Sequence, residues 1–186
     1  MVTVNSAPPK WDQAHRFLSK LHEGIKDDKG AQAALKRALS GEPRHLIKTR
    51  AIVMRHYLPQ MDDWQESIWI RVACLSMYYE QPLRDNQCNF GESCRQLALL
   101  TNTGNDPNDS LSKSVQRRFQ ALLDTSLTDI WTPLTGLIRQ MKAQKSSSID
   151  YPKLIYELCQ WDHPDQYIQD KWAKAFWKAV FPKDQS

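Results

Sequence analysis

Apolar residues along this chain recur mostly three and four positions apart, with polar and charged residues between them. At roughly 100° per residue that spacing draws one apolar stripe down each helix, while the two-residue alternation of half-buried strands is scarce. Ala14, Phe17, Leu18 and Leu21 mark a first helix ending near Gly24. Asp28 is placed to cap a second, whose stripe is Ala31, Ala34, Leu35, Ala38 and Leu39 and whose end falls at Gly41, a residue suited to a left-handed C-terminal position. Pro43 fits the first turn of a third helix carrying Leu46, Ile47, Val53, Met54 and Tyr57. Asp62 or Asp63 starts a fourth, with Trp64, Ile68, Val72, Leu75 and Tyr79 expected inside. A polar loop from Gln81 to Gly91 leads to a short helix through Leu97 and Leu100.

The second half repeats the pattern. Ser110 or Ser112 can open a helix whose stripe is Val115, Phe119, Leu122 and Leu123. Ile130, Leu134, Leu137, Ile138 and Met141 stripe the next, and Pro133 is compatible with it if the helix begins near Asp129. Asp150 caps a helix using Pro152, Leu154, Ile155, Leu158 and Trp161, and a last one from Pro164 buries Ile168, Trp172, Ala175, Phe176 and Ala179. The expectation is an all-α bundle of about nine helices. Turn formers crowd the run Thr101–Asp109, which predicts either a loop or a boundary between two helical lobes, residues 1–104 and 105–186. The stretch Lys145–Ser148 predicts a flexible link.

Composition narrows the class. Hydrophobic residues make up 41% of the 186, enough for a folded core, and the six glycines fit helices better than a β-rich protein. The N-terminus has neither the cationic start nor the apolar run of a signal peptide, and no apolar stretch is long enough to span a bilayer. Cys74, Cys88, Cys94 and Cys159 lack the spacing of a zinc or redox motif. A cytoplasmic protein with free thiols is expected.

Chemistry is sparse. Neither a nucleophile motif nor a phosphate-cradling glycine loop is present. Cys159 and His163 are four apart, but no third metal ligand accompanies them, so a buried thiol and a surface histidine are expected. Asp62, Asp63 and Glu66 are explained as helix-start residues rather than a metal cluster. Trp131, Trp161, Trp172 and Trp177 could stack on bases, but each lies on or beside an apolar stripe and is expected in the core. The reading is a non-enzyme without metal or cofactor.

What stands out is the placing of charge. The net charge is only +4. Yet from Lys29 to His56 the chain carries Lys29, Lys36, Arg37, Arg44, Lys48, Arg50 and Arg55 against the single acid Glu42. Lys113, Arg117 and Arg118 project from the helix after Ser112, and Arg139 and Lys142 from the one after it. Acid gathers later, at Asp150, Glu157, Asp162, Asp165 and Asp170. Candidate binding residues are therefore Lys36, Arg37, Arg44, Lys48, Arg55, Lys113, Arg117, Arg118, Arg139 and Lys142. If they share a face they can neutralise a run of phosphates without reading sequence. The residues alone leave that reading level with a charged surface for docking protein.

Three stretches carry a resemblance: Gly30-Ala-Gln-Ala-Ala-Leu-Lys-Arg-Ala38, Ser114-Val-Gln-Arg-Arg-Phe-Gln-Ala-Leu-Leu123 and Trp172-Ala-Lys-Ala-Phe-Trp177. Together they resemble the small helical subunit of the type I-E CRISPR surveillance complex, the CasB family of Cascade, over about Phe17 to Val180. The resemblance implies a non-catalytic subunit of antiviral defence, present as two copies beside the large subunit and the crRNA-bound backbone subunits. It implies a basic surface that holds the displaced, non-target DNA strand and stabilises the R-loop. Arg37, preceded by Lys36, matches a basic position on the family's N-terminal helix, Arg117 and Arg118 match its paired arginines, and Arg139 an Arg on the following helix. Two further readings stay open: a scaffold whose cations contact protein or crRNA, and a helical DNA-binding regulator.

Overall fold

The computed structural model describes residues 11–55, 60–83, 88–102, 110–145 and 148–178. Among these it contains nine α-helices and no strand: α1 (Trp11–Ile25), α2 (Lys29–Ala38), α3 (Pro43–Met54), α4 (Asp63–Tyr78), α5 (Phe90–Leu100), α6 (Lys113–Leu123), α7 (Trp131–Gln144), α8 (Tyr151–Leu158) and α9 (Tyr167–Trp177). The chain is all-α, as its periodicity predicts. Tyr57, Ala179, most of the run Thr101–Asp109 and half of the link Lys145–Ser148 lie outside the described residues.

Local chemistry sets the helix starts. Asp28 accepts the amide of Ala31 and Asp150 that of Lys153, satisfying donors that have no helical acceptor. Asp62 and Gln65 form a reciprocal capping box at α4. Gly41 takes φ +76° after α2, a left-handed geometry that costs glycine little. Pro133 falls in the first turn of α7, where its missing N–H breaks no bond.

Packing gathers α1, α2, α3 and α4 with α8, and α5, α6 and α7 with α9. It crosses residue 104 in both directions, because α8 lies on α1 and α4 while α5 lies on α6, α7 and α9. α4 is buried along most of its length, with Phe17 of α1 against its Trp69 at 5.2 Å. Tyr151 of α8 donates its hydroxyl to the carbonyl of Tyr79 at 2.7 Å, closing the C-terminal end of α4. On the other side, Phe119 of α6 stacks on Phe176 of α9 at 4.3 Å.

Four expectations change. α3 buries only Thr49 and Val53, because α2 and α4 cover one side of it; Ile47 is 69% and Met54 59% exposed. Trp64, expected inside, sits in the first turn of α4 and is 46% exposed. Trp177, expected in the core, is 40% exposed at the last position of α9. α9 begins at Tyr167 rather than Pro164, because the amide of Gln166 first closes a turn onto His163 and Gln166 takes φ 47°. Of the tryptophans, Trp161 and Trp172 are fully buried, Trp131 is half-buried, and Trp177 is exposed on one side while its ring meets Phe119 and Phe176 on the other.

Trp172 joins three helices. Its ring meets Phe90 of α5 at 5.2 Å and Trp161 at 4.8 Å, and its Nε1–H donates to Glu157 Oε2 of α8 at 2.7 Å. Beside it, Gly91 of α5 lies so near the α9 backbone that a Cβ there would come within 2.7 Å of the Trp172 carbonyl carbon and overlap its oxygen. Burial pushes the Glu157 carboxyl up to about 7 despite that hydrogen bond.

Two predictions follow from this junction. Gly91→Ala lowers stability by about 2–3 kcal/mol through backbone overlap, although the same change at Gly136 of α7, where a Cβ meets nothing within 4 Å, gains up to about 1 kcal/mol; urea titration of both checks the contrast. The folded chain holds the Glu157 proton more tightly than the unfolded one, so stability falls as pH rises from about 4.5 through about 7. Relative to wild type, Glu157→Gln, which can still accept from Trp172, gains about 3 kcal/mol between pH 4 and pH 8; melting curves of the two across that range measure it.

Candidate nucleic-acid interface

The cationic surface is built on helices whose other sides are anchored. α6 turns Val115, Phe119 and Leu122 into the core, which leaves Lys113, Arg117 and Arg118 in solvent. α2 buries Ala31, Leu35 and Ala38 and exposes Lys36 and Arg37 in its last turn. α7 buries Leu134, Leu137, Ile138 and Met141 and exposes Arg139 and Lys142. From α3 come Arg44 and Lys48, with Arg55 closing its C-terminus.

Their surroundings divide these residues. Arg44 pairs with Glu42 at 2.6 Å, although both are well exposed. Lys142 donates to the Tyr78 carbonyl at 2.6 Å and lies 4.0 Å from the centre of the Tyr78 ring, so its charge closes the end of α4. By contrast, Lys36, Arg37, Lys48, Arg55, Arg117, Arg118 and Arg139 have no ion pair or side-chain hydrogen bond among the described residues. Their fields therefore extend into solvent with no fixed counter-charge in contact.

The structure brings Arg139 alongside the end of α2. It lines a cleft of about 280 Å³ together with Ala38, Ser40 and Gly41, which follow directly on Lys36 and Arg37. Arg117 and Arg118 lie on α6, which packs against α7. The α3 cations lie on a helix whose exposed residues also include Ile47, Ala51 and Met54.

The acidic segment is engaged locally. Asp150 caps α8, Glu157 is buried against Trp172, Asp162 accepts the amide of Leu127 at 3.3 Å, and Asp170 pairs with Lys174. Of the residues considered as a metal cluster, Asp62 caps α4 and Glu66 pairs with Arg50 at 2.7 Å. Among the described residues no group of three or more His, Cys, Asp or Glu is placed to hold a metal ion. Burial pushes the Cys74 and Cys159 thiols up to about 12, far from the thiolate that nucleophilic chemistry needs. Nor is any helix among them long and apolar enough to cross a membrane.

One residue escapes the sequence reading. Arg71 of α4 is half-buried, with its guanidinium 5.1 Å from the centre of the Trp131 ring. The only cue lay in spacing, since Arg71 follows the expected core position Trp64 by seven and shares its helix face.

Comparison with known proteins agrees with this architecture. A CRISPR-associated protein Cse2 from Thermus thermophilus is 27% identical over 166 residues, covering 88% of this chain and 89% of its own. The crystal structure of M. ruber CasB superposes with a TM-score of 0.65 at 23% identity, covering 90% of this chain and 92% of the other. A chain of a CRISPR RNA-guided surveillance complex gives the same TM-score at 20% identity, covering 89% and 90%. The profile of the family described as CRISPR-associated protein Cse2 matches residues 31–177, and the chain belongs to that family.

Proposed function

We propose that this chain is the small, non-catalytic subunit of a Cascade-type CRISPR surveillance complex, and that its cationic surface holds the displaced, non-target DNA strand. Membership of the Cse2 family supports the assembly, as does the likeness in fold to a chain of a CRISPR RNA-guided surveillance complex. In that setting its partners are the large subunit, the crRNA-bound backbone subunits and a second copy of itself.

The observation that carries the strand-holding role is the set of exposed cations without carboxylates: Lys36, Arg37, Arg117, Arg118 and Arg139. Each can replace a condensed counterion on a phosphate, which favours binding without reading a base. Opening a duplex against a guide RNA is close to balanced, as argued for a single-protein effector. A few phosphate contacts on the displaced strand are therefore enough to hold the loop open. The α3 cations Lys48 and Arg55 favour a second role. Beside the exposed Ile47 and Met54 they suit a contact with a neighbouring protein subunit.

The combined variant Arg37→Ala, Arg117→Ala, Arg118→Ala tests this in the assembled complex. Assembly is expected to survive, because none of the three contacts the core, while R-loop lifetime shortens roughly tenfold or more through three lost phosphate contacts. An unchanged lifetime would contradict strand holding. Failure to assemble would instead assign these arginines to protein or crRNA.

A further inference from the structure

Three clefts meet at one side chain. Arg71 lines the groove of about 930 Å³ between α4, the start of α7 and the corner joining α8 to α9. It also lines the cleft of about 280 Å³ that holds Arg139, and a third of about 260 Å³ between α3 and α4. Its guanidinium has no carboxylate and no hydrogen bond among the described residues, only the Trp131 ring beneath it. Burial also lowers its pKa from the usual arginine value. A half-buried guanidinium with no acceptor among the described residues is suited to an anion, and the Trp131 ring 5.1 Å away favours its place in the groove.

Trp64 stands two helical turns before it on the same side of α4, a separation of about 10 Å along the axis. Both line the large groove, with Ile68 between them. The other aromatic rings of that groove are already covered. Trp131 lies under Arg71, and Tyr167 has Lys171 Nζ 5.1 Å from its ring centre and the His163 ring at 4.9 Å. The Trp64 indole is 46% exposed and has no ring or cation contact among the described residues.

We propose that the face of α4 from Trp64 to Arg71 receives a short unstacked segment of single-stranded nucleic acid, a base lying on the Trp64 indole and a phosphate on the Arg71 guanidinium. Such a site presupposes the strand-holding role above and adds to it a preference for bases. Charge separates this occupant from an acidic peptide. Asp162, which lines the same groove, disfavours a partner with carboxylates along its length, where a base brings only a neutral ring face. From Arg71 the second cleft leads to Arg139 and the end of α2, so a chain with a charge at every unit meets unpaired cations in succession.

The test compares oligothymidylate with an abasic deoxyribose-phosphate strand of the same length, binding the full chain at low salt and read by fluorescence anisotropy. Wild type is expected to bind the base-bearing strand at least about fivefold more tightly, the low end of what one stacked base contributes. Trp64→Leu, at an exposed first-turn position, brings that ratio to about one and leaves abasic binding unchanged. Arg71→Met, which keeps the stem on Trp131, weakens both strands; a melting curve on each variant confirms the fold. Equal affinity of wild type for the two strands, or a ratio that survives in Trp64→Leu, overturns the base site while leaving strand holding intact. Binding of neither strand overturns strand holding itself. Variants that bind both strands as wild type does but drop out of the assembled complex show that the groove takes a protein segment, and overturn the site as well.

Discussion

The backbones of α5 and α9 touch because residue 91 has no side chain. That approach sets Trp172 between Phe90 and Trp161 and aims its N–H at Glu157, so one indole ties α5 and α9 to α8. α8 in turn lies on α1 and α4, and Phe176, one turn beyond Trp172, holds α6 through Phe119. Arg95, buried on α5, donates to the Phe176 carbonyl at 2.6 Å and adds a polar tie between the same two helices. Without the glycine the helices would have to separate, and the aromatic contacts on both sides would open with them.

This rigidity matters because the cations come from separate helices. A phosphate chain has fixed charge spacing, so side chains on α2, α6 and α7 can match it only if those helices keep their places. The protein meets that need with the cations outside and the anchoring apolar stripes inside, one helix at a time. It also keeps most acids of the α8–α9 region in local contacts, as with Asp150 at its cap and Asp170 beside Lys174. A net charge of only +4 is thus compatible with a surface that attracts an anion, since local imbalance, rather than the total, sets the field over a distance of about 10 Å.

Much of the architecture was legible in the sequence because it is written in local terms. Asp28 and Asp150 cap where a carboxylate precedes an apolar stripe, Gly41 turns left-handed, and the stripes of α1, α6 and α7 are buried as their spacing predicts, apart from the half-buried Leu123. Where the reading failed, the missing fact was tertiary. An apolar stripe says which side of a helix could be covered, but Ile47 and Met54 show that a covering element need not arrive. Trp64 was placed inside on the same logic and is 46% exposed, because the first turn of α4 is covered on the side of Gln65 and not on its own. For the candidate site, spacing marked which cations project but could not show that Arg44 and Lys142 are engaged by neighbours while Arg117 and Arg139 are not. Arg71 was cued only by its spacing from Trp64, because its meaning comes from Trp131, sixty positions away.

Strand holding requires the unpaired cations to act together on one phosphate chain. The salt dependence of single-strand binding by the full chain measures that directly. Each phosphate neutralised contributes about −0.7 to the slope of log affinity against log salt concentration. Engagement of cations from α2, α6 and α7 together predicts a slope of about −2 or steeper. A slope near zero, or one no steeper than a single contact gives, would contradict it.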